Sequence, residues 1–371
     1  MAMSTFIKDY IEKETINRRN FLLASAAGLG SMAMPMAFGK GAAFAAENPA
    51  LAWSYRDRAS AYWNSVVSGG EAFVESIGKT KEDMVSLINE GSSEKSLADI
   101  KAFLAKNSGN CAIACDANDS PNARPVVEAV KEAGGYISTI WNKTDDLHPW
   151  DIGDNYVSHM SWSDEKPAED TARILFAAMG GKGGVVHLGG IPANNPAVKR
   201  LNGLKNALKD FPEIELLDAQ PADWDTTKAA ELMASFITRY GDKITGVHCA
   251  NDNIAYGVIE ALKAEGITGM PIVAYDGNME AVQMVMDGDL LATVFTNPHW
   301  GGGVSLALAY HAAIGTFKPS EEPNEHREFY GPTILVTKDD AADFKAKYLD
   351  NVPTYDWTDF WGPSNGGIVY K

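Results

Sequence analysis

The chain has 371 residues, enough for two ordinary domains, and its 45% apolar and 22% charged content is that of a core-forming protein. Acidic residues outnumber basic ones 49 to 32, a formal charge of −17, which argues against nucleic acid or an anionic membrane surface as a partner, since both need basic patches. Three cysteines build no disulfide framework; Cys111, Cys115 and Cys249 lie in apolar runs and read as small core residues.

The first 45 residues differ from the rest. Asn17-Arg18-Arg19-Asn20-Phe21-Leu22-Leu23 opens a weakly apolar stretch that meets no charge before Lys40, and Ala43-Phe44-Ala45 forms a small-x-small cleavage pattern. Paired arginines before Phe-Leu resemble a twin-arginine export signal. A retained anchor is the alternative, but Gly, Ser, Pro and Ala dilute the segment and a cleavage pattern follows it. The expectation is a soluble mature protein, starting near Ala46, exported to the periplasm.

After Pro49 strands and helices alternate. Leu51–Tyr55, Met84–Ile88, Cys111–Cys115 and Tyr136–Trp141 read as strands, with helical spacing over Tyr62–Ile77, Leu97–Leu104 and Pro125–Ala133 between them. The rhythm resumes with helices at Ala168–Met179 and Val198–Leu208. Strands follow at Val185–Leu188, Ile214–Leu217, Ile244–Cys249, Ile272–Tyr275 and Leu290–Thr296. Such alternation predicts an α/β protein of two doubly wound parallel-sheet lobes, separated by the loop Asn142–Tyr156.

Ligands in such sheets bind beyond the carboxyl ends of the strands. The residues there pair aromatics with amides or carboxylates: Arg56-Asp57, Trp141-Asn142, Asn194-Asn195, Trp224-Asp225, Asn251-Asp252, Asp276 and Asn297. A flat indole covers the C–H face of a sugar, while Asn and Asp bond its hydroxyls. Enzyme motifs are missing. Gly180–Gly184 precedes a strand, so it reads as a turn rather than a phosphate loop, and no H-E-x-x-H or C-x-x-C occurs. The scattered histidines suggest no metal site. No cofactor, no metal and no catalysis are expected.

Three stretches resemble the ribose-binding-protein family, sugar receptors of ATP-driven importers with the type I periplasmic binding fold. They are Gln220-Pro221-Ala222-Asp223-Trp224-Asp225, then Asn251-Asp252-Asn253-Ile254-Ala255-Tyr256-Gly257, then Ala274-Tyr275-Asp276-Gly277 with Asp287-Gly288-Asp289-Leu290-Leu291-Ala292-Thr293-Val294. The resemblance is strong from Gly184 to Pro298, moderate from Leu51 to Ile140 and weak after Gly331. It implies two lobes, 46–160 plus 298–329 and 161–297 plus 330–371, with crossovers near Met160, Pro298 and Tyr330. Carried over by position, it implies ligand contacts at Ser60, Tyr62, Trp63, Trp224, Asn251, Asp276 and Thr296. Asn297 stands beside Thr296, and Arg56 and Asn195 join from their places at strand ends.

Two positions depart from the family. Trp141-Asn142 stand where it has an Asp-Arg pair, and Val198 aligns with a family arginine, with Arg200 two residues on. The loss of both arginines predicts a neutral sugar or sugar alcohol rather than an anion, and ribose is disfavoured. The expected role is a monomeric solute-binding protein serving a membrane permease with its ATPase. Its rivals are a sensory receptor subunit for a chemoreceptor or kinase and a periplasmic oxidoreductase.

Overall fold

The computed structural model describes residues 48–370, so the proposed export signal lies outside the described residues. The first sheet is built from β1 (Ala50–Tyr55), β2 (Met84–Ile88), β3 (Cys111–Asp116), β4 (Tyr136–Ile140), β5 (Tyr156–Ser161) and β11 (Glu328–Tyr330). All six run parallel, in the order β11-β5-β4-β3-β1-β2. The second contains β6 (Lys182–Gly189), β7 (Glu213–Pro221), β8 (Ile244–Cys249), β9 (Ile272–Val273), β10 (Ala292–Phe295) and β12 (Ile334–Thr337). Its order is β12-β10-β9-β8-β6-β7, and only β12 is antiparallel to its neighbour. Strands such as Cys111–Asp116 are buried at every position, the pattern of a parallel sheet covered on both faces. The three cysteines are buried free thiols within these strands.

The helices that carry the site begin just beyond strand ends. In the first lobe α1 (Ala61–Ser76) follows β1, followed in turn by α2 (Ser93–Lys106), α3 (Ala123–Ala133) and the short α4 (Pro149–Ile152). The second lobe has α5 (Glu165–Ala178), α6 (Asn195–Leu208), α7 (Thr226–Tyr240), α8 (Asp252–Ala264) and α9 (Met279–Asp287). The chain returns to the first lobe with α10 (Pro298–Ala313) and α11 (Asn324–Arg327), and α12 (Ala341–Tyr348) belongs again to the second. Helices α1 and α10 lie backbone to backbone, because a Cβ at Gly69 would overlap the His299 carbonyl and one at Gly302 that of Val66. The chain passes between lobes after β5, after β10, after β11 and once more after α12.

One expected boundary needs correction. The tail from 330 onward does not stay in the second lobe. Trp357 is buried in the first lobe's core, with Tyr355, Phe360 and Trp361 packed against the same cluster. The last residues bond along β11, where Tyr330 N–H donates to Gly366 O at 2.8 Å and Ile368 N–H to Glu328 O at 3.0 Å. The physical reason is edge protection: β11 would otherwise expose unpaired backbone groups, and four aromatics within seven residues need an apolar surface to cover.

Candidate functional site

Between the two lobes lies a cleft. It is walled by residues at the carboxyl ends of the strands. From the first lobe, β1 delivers Arg56 and Asp57, and the start of α1 delivers Ser60, Tyr62 and Trp63. The Asp57 carboxylate accepts the Ser60 N–H at 2.8 Å, which turns the chain into the helix. Asp116 ends β3, and Trp141 with Asn142 follows β4.

This wall is mainly aromatic. Tyr62 meets Trp63 edge-on at 5.3 Å, and the Trp141 indole N–H donates to the Tyr62 hydroxyl at 2.8 Å. Trp141 holds a left-handed backbone at φ 62°, a conformation that costs a bulky residue about 1–3 kcal/mol and persists only where its surroundings impose it. Asn142 donates to Asp116 at 2.8 Å, and Arg56 donates to Asn118 at 2.8 Å. Burial pushes the Asp116 carboxyl up to about 6 against the pull of Asn142 and Arg56.

The second lobe's wall is charged. Arg200 is fully buried and lies flat on Tyr275 at 3.6 Å, with Trp141 at 5.4 Å and Trp224 at 5.6 Å. Its guanidinium donates to Asp164 at 2.9 Å and to the Ala250 carbonyl at 2.8 Å, and it sits 3.5 Å from Asp276. Burial works against its charge, but Asp164 and Asp276 more than compensate and hold its pKa above the ordinary value. Asn251 donates to the other Asp276 oxygen at 3.2 Å. Burial raises the Asp276 carboxyl to about 7, with Arg200 and Asn251 opposing the rise. Trp224 donates to Asn194, and Gly190 leaves room for its ring, since a Cβ there would fall inside the indole.

The lobes touch at the cleft mouth. Asn194 donates to the Asn118 carbonyl at 2.7 Å, and Ser120 N–H to that of Ala193 at 3.2 Å.

The cleft therefore gathers Arg56, Ser60, Tyr62, Trp63, Trp141, Asn142, Trp224, Asn251 and Asp276 from the sequence-based set. Three members of that set do not line it. Asn195 turns its amide to the Lys143 carbonyl at 2.7 Å, and the cleft position belongs to its neighbour Asn194, the residue just before α6. Thr296 is fully buried behind the wall. Asn297 caps α10 by accepting the Trp300 N–H and exchanges hydrogen bonds with the Tyr355 hydroxyl.

The arginine alignment also changes. Val198 is 48% exposed on the outer face of α6, whereas Arg200 and Pro196, four apart, share the face toward the cleft. The cleft thus keeps a buried arginine, which sequence alignment displaced by two positions. Asp116 also went unread, although it is the sole charge closing an apolar strand. Among the described residues no group of three or more His, Cys, Asp or Glu could hold a metal ion.

Residues 51–316 match the family described as periplasmic binding protein domain, and the chain belongs to that family. A xylitol-binding protein of Mycolicibacterium smegmatis is 34% identical over 170 residues, 46% of this chain and 47% of that protein. The chain thus spans about half the length of that relative. The D-allose-binding periplasmic protein of Escherichia coli is 29% identical over 280 residues, 75% of this chain and 88% of that protein. Among solved structures, a twin-arginine translocation pathway signal protein from Burkholderia phytofirmans is 42% identical with a TM-score of 0.83, covering 86% of this chain and 98% of that one. Two parallel-sheet lobes with a cleft between them are the type I architecture. No helix among the described residues is long and apolar enough to cross a membrane.

Proposed function

We propose that this periplasmic binding protein captures a neutral polyhydroxyl solute, a monosaccharide or sugar alcohol, in its interlobe cleft and hands it to a membrane permease driven by an ATPase. The observation that carries the reading is the opposition of the two walls. Tyr62, Trp63 and Trp141 offer flat apolar faces, while Asp276, Asn251 and Arg200 offer hydroxyl partners directly across. The relatives named for xylitol and D-allose support that solute class.

The buried arginine does not turn the reading toward anions. Arg200 is already matched by Asp164 and Asp276, so a carboxylated solute would bring a third negative charge into a desolvated site at a cost of several kcal/mol. The chain works without catalysis or cofactor, as a monomer, after export through the Arg18-Arg19 signal. Closure of the lobes traps the solute, with the passages after β5, β10 and β11 as hinge.

A thermal-shift screen of sugars, polyols and their corresponding acids tests this, because a solute that binds only the folded protein raises its melting temperature. Neutral polyols and sugars should stabilise the protein, with tryptophan fluorescence responding and X-ray scattering reporting a more compact particle. Tighter binding of an acid than of its parent polyol would defeat the neutral-solute reading. Replacing both Arg18 and Arg19 with Lys should strand precursor in the cytoplasm.

A further inference from the structure

We propose that Trp162 is a positioning residue for the binding platform: without touching the solute, it holds the Trp141 indole in the cleft wall and couples that indole to the hinge. The inference deepens the reading of the cleft as a polyhydroxyl site and rests on it.

Trp162 is fully buried and does not line the cleft. Its ring lies on that of Trp141 with centroids 4.1 Å apart and planes 31° apart, the closest stacking contact that Trp141 makes. The remaining hold on the Trp141 side chain is the hydrogen bond to Tyr62 at one edge, and the Arg200 guanidinium stands at 5.4 Å. Trp141 has a left-handed backbone, so its ring direction is not fixed by an ordinary strand end. The plane it presents to the cleft is therefore set from behind, by Trp162.

The same residue touches three of the four passages between the lobes. It opens the first, directly after β5. In the first turn of α10, immediately beyond the second passage, a Cβ at Gly301 would come within 3.1 Å of the Trp162 ring. At the start of the third, a Cβ at Gly331 would lie 2.5 Å from the Trp162 indole nitrogen. Gly331 does not hold a positive φ, so what it supplies is space for that ring. Any rotation of the lobes that shifts these passages shifts the ring that backs the platform, and any load on the platform is felt at the hinge.

The polar end of Trp162 has a different message. Its indole N–H is buried and has no acceptor among the described residues. A buried N–H without a partner is destabilising, and a phenyl ring would fill most of the space without that cost. The broad face of the indole is what the site uses, and that face is spent on Trp141.

The experiment compares wild type with Trp162→Phe, Trp162→Leu and Gly331→Ala. Gly331→Ala displaces Trp162 without substituting any cleft residue. Two stacked indoles give an exciton couplet near 230 nm in circular dichroism, readable without any solute. Binding is measured with D-allose, a ring sugar with a flat C–H face, and xylitol, which is open-chain. The Trp141–Trp162 part of the couplet should be lost in Trp162→Leu and Trp162→Phe and weaken in Gly331→Ala, leaving what the Trp53–Trp63 pair, 6.5 Å apart, supplies. In Trp162→Leu, D-allose affinity should fall by about tenfold relative to xylitol affinity, because a ring loses more than a chain when the platform tilts. Trp162→Phe should recover most of that ratio.

An undiminished couplet in Trp162→Leu, or equal losses for the two solutes that follow the melting temperature, would reduce Trp162 to a core residue and overturn the inference. If Trp162→Leu does not fold, Gly331→Ala carries the same comparison: D-allose affinity should fall relative to xylitol affinity, and an unchanged ratio would overturn the inference. Wild type that binds neither these two solutes nor any other sugar or polyol would overturn the functional reading, and the inference with it. The couplet separates the two failures, since it needs no solute.

Discussion

The two walls of the cleft solve one problem by different physics. The first lobe's wall is a set of rings held by one another: Tyr62 against Trp63, Trp141 against Tyr62 and Trp162. The second lobe's wall is a set of charges held by one another, with Arg200 between Asp164 and Asp276 on the face of Tyr275. A ring wall gives shape and tolerates a variety of hydroxyl patterns. A charge wall is exacting, because each member is buried and a single deletion leaves its partner uncompensated. The difference teaches where discrimination resides: the aromatic side sets the size and flatness of the solute, and the charged side sets its hydrogen-bond pattern and its neutrality.

The sharpest way to break that division is to remove its central charge. Arg200→Leu leaves Asp164 and Asp276 buried without a cation, which should cost about 3–5 kcal/mol of folding stability near pH 7.5. Chemical denaturation measures it, and the deficit should shrink at pH 5, where the orphaned Asp276 carboxyl takes up a proton. A loss below 1 kcal/mol would mean that the arginine is not structural. Asp276→Ala comes next. A carboxylate accepting two solute hydroxyls contributes roughly 1.5–3 kcal/mol per charged bond, so affinity for the best sugar or polyol should drop by about 100-fold or more with the fold retained. Near-native affinity, read by calorimetry, would assign Asp276 to holding Arg200 and Asn251 alone.

The aromatic side should respond more gently. Trp63→Ala removes one flat face of that wall, and about a tenfold loss of affinity is expected, on the order of one ring stacking contact. A loss as large as that of Asp276→Ala would erase the distinction between the walls.

How far this site was legible depended on which kind of wall a residue belongs to. Trp63, Trp141 and Trp224 stand out because indoles at strand ends are conspicuous, and Asn251 and Asp276 lie inside family-like segments. Arg200 was misread because aligning residue by residue ignores the helix: counting four from Pro196 on α6 puts Arg200 toward the cleft and Val198 outward. Asn195 was preferred to Asn194 although only the latter stands just ahead of α6, where the chain is still extended and the side chain can reach across to Asn118. Trp162 carries no local signal, because its partners Trp141, Gly301 and Gly331 are brought together only by the sheet order and the hinge. The tail was opaque for the opposite reason. It has no helical or strand period, and only the density of aromatics between Tyr355 and Trp361 hints at its burial.

The smallest effect is a matter of pH, and it tests whether the charged wall is tuned as a unit. Burial, opposed by Arg200 and Asn251, raises the Asp276 carboxyl to about 7. Its folded pKa is above the unfolded value near 3.8, so its contribution to stability is fully present below that value and is lost as pH rises through about 7. His187 and His248 face each other in the second sheet with ring nitrogens 3.0 Å apart, and burial lowers both, His248 to about 4. Folded pKa values below the unfolded 6.5 have the opposite sign: their stability is present above 6.5 and is lost as pH falls toward about 4. Between these limits Asp276 and Asp252, the latter also raised by burial and by the Asp276 charge, favour folding on acidification while the two imidazoles oppose it. The second lobe should therefore hold nearly constant stability, while a single uncompensated group would change it by up to about 1.4 kcal/mol per pH unit. Asp276→Asn keeps the shape and removes one of the two carboxyls, so the pair of imidazoles outweighs the Asp252 carboxyl that remains. Its denaturation midpoint should fall on going from pH 6.5 to 4.5 while that of wild type changes little. Parallel profiles for the two proteins would show that Asp276 does not titrate in this window and that the charged wall stays ionised down to acidic pH.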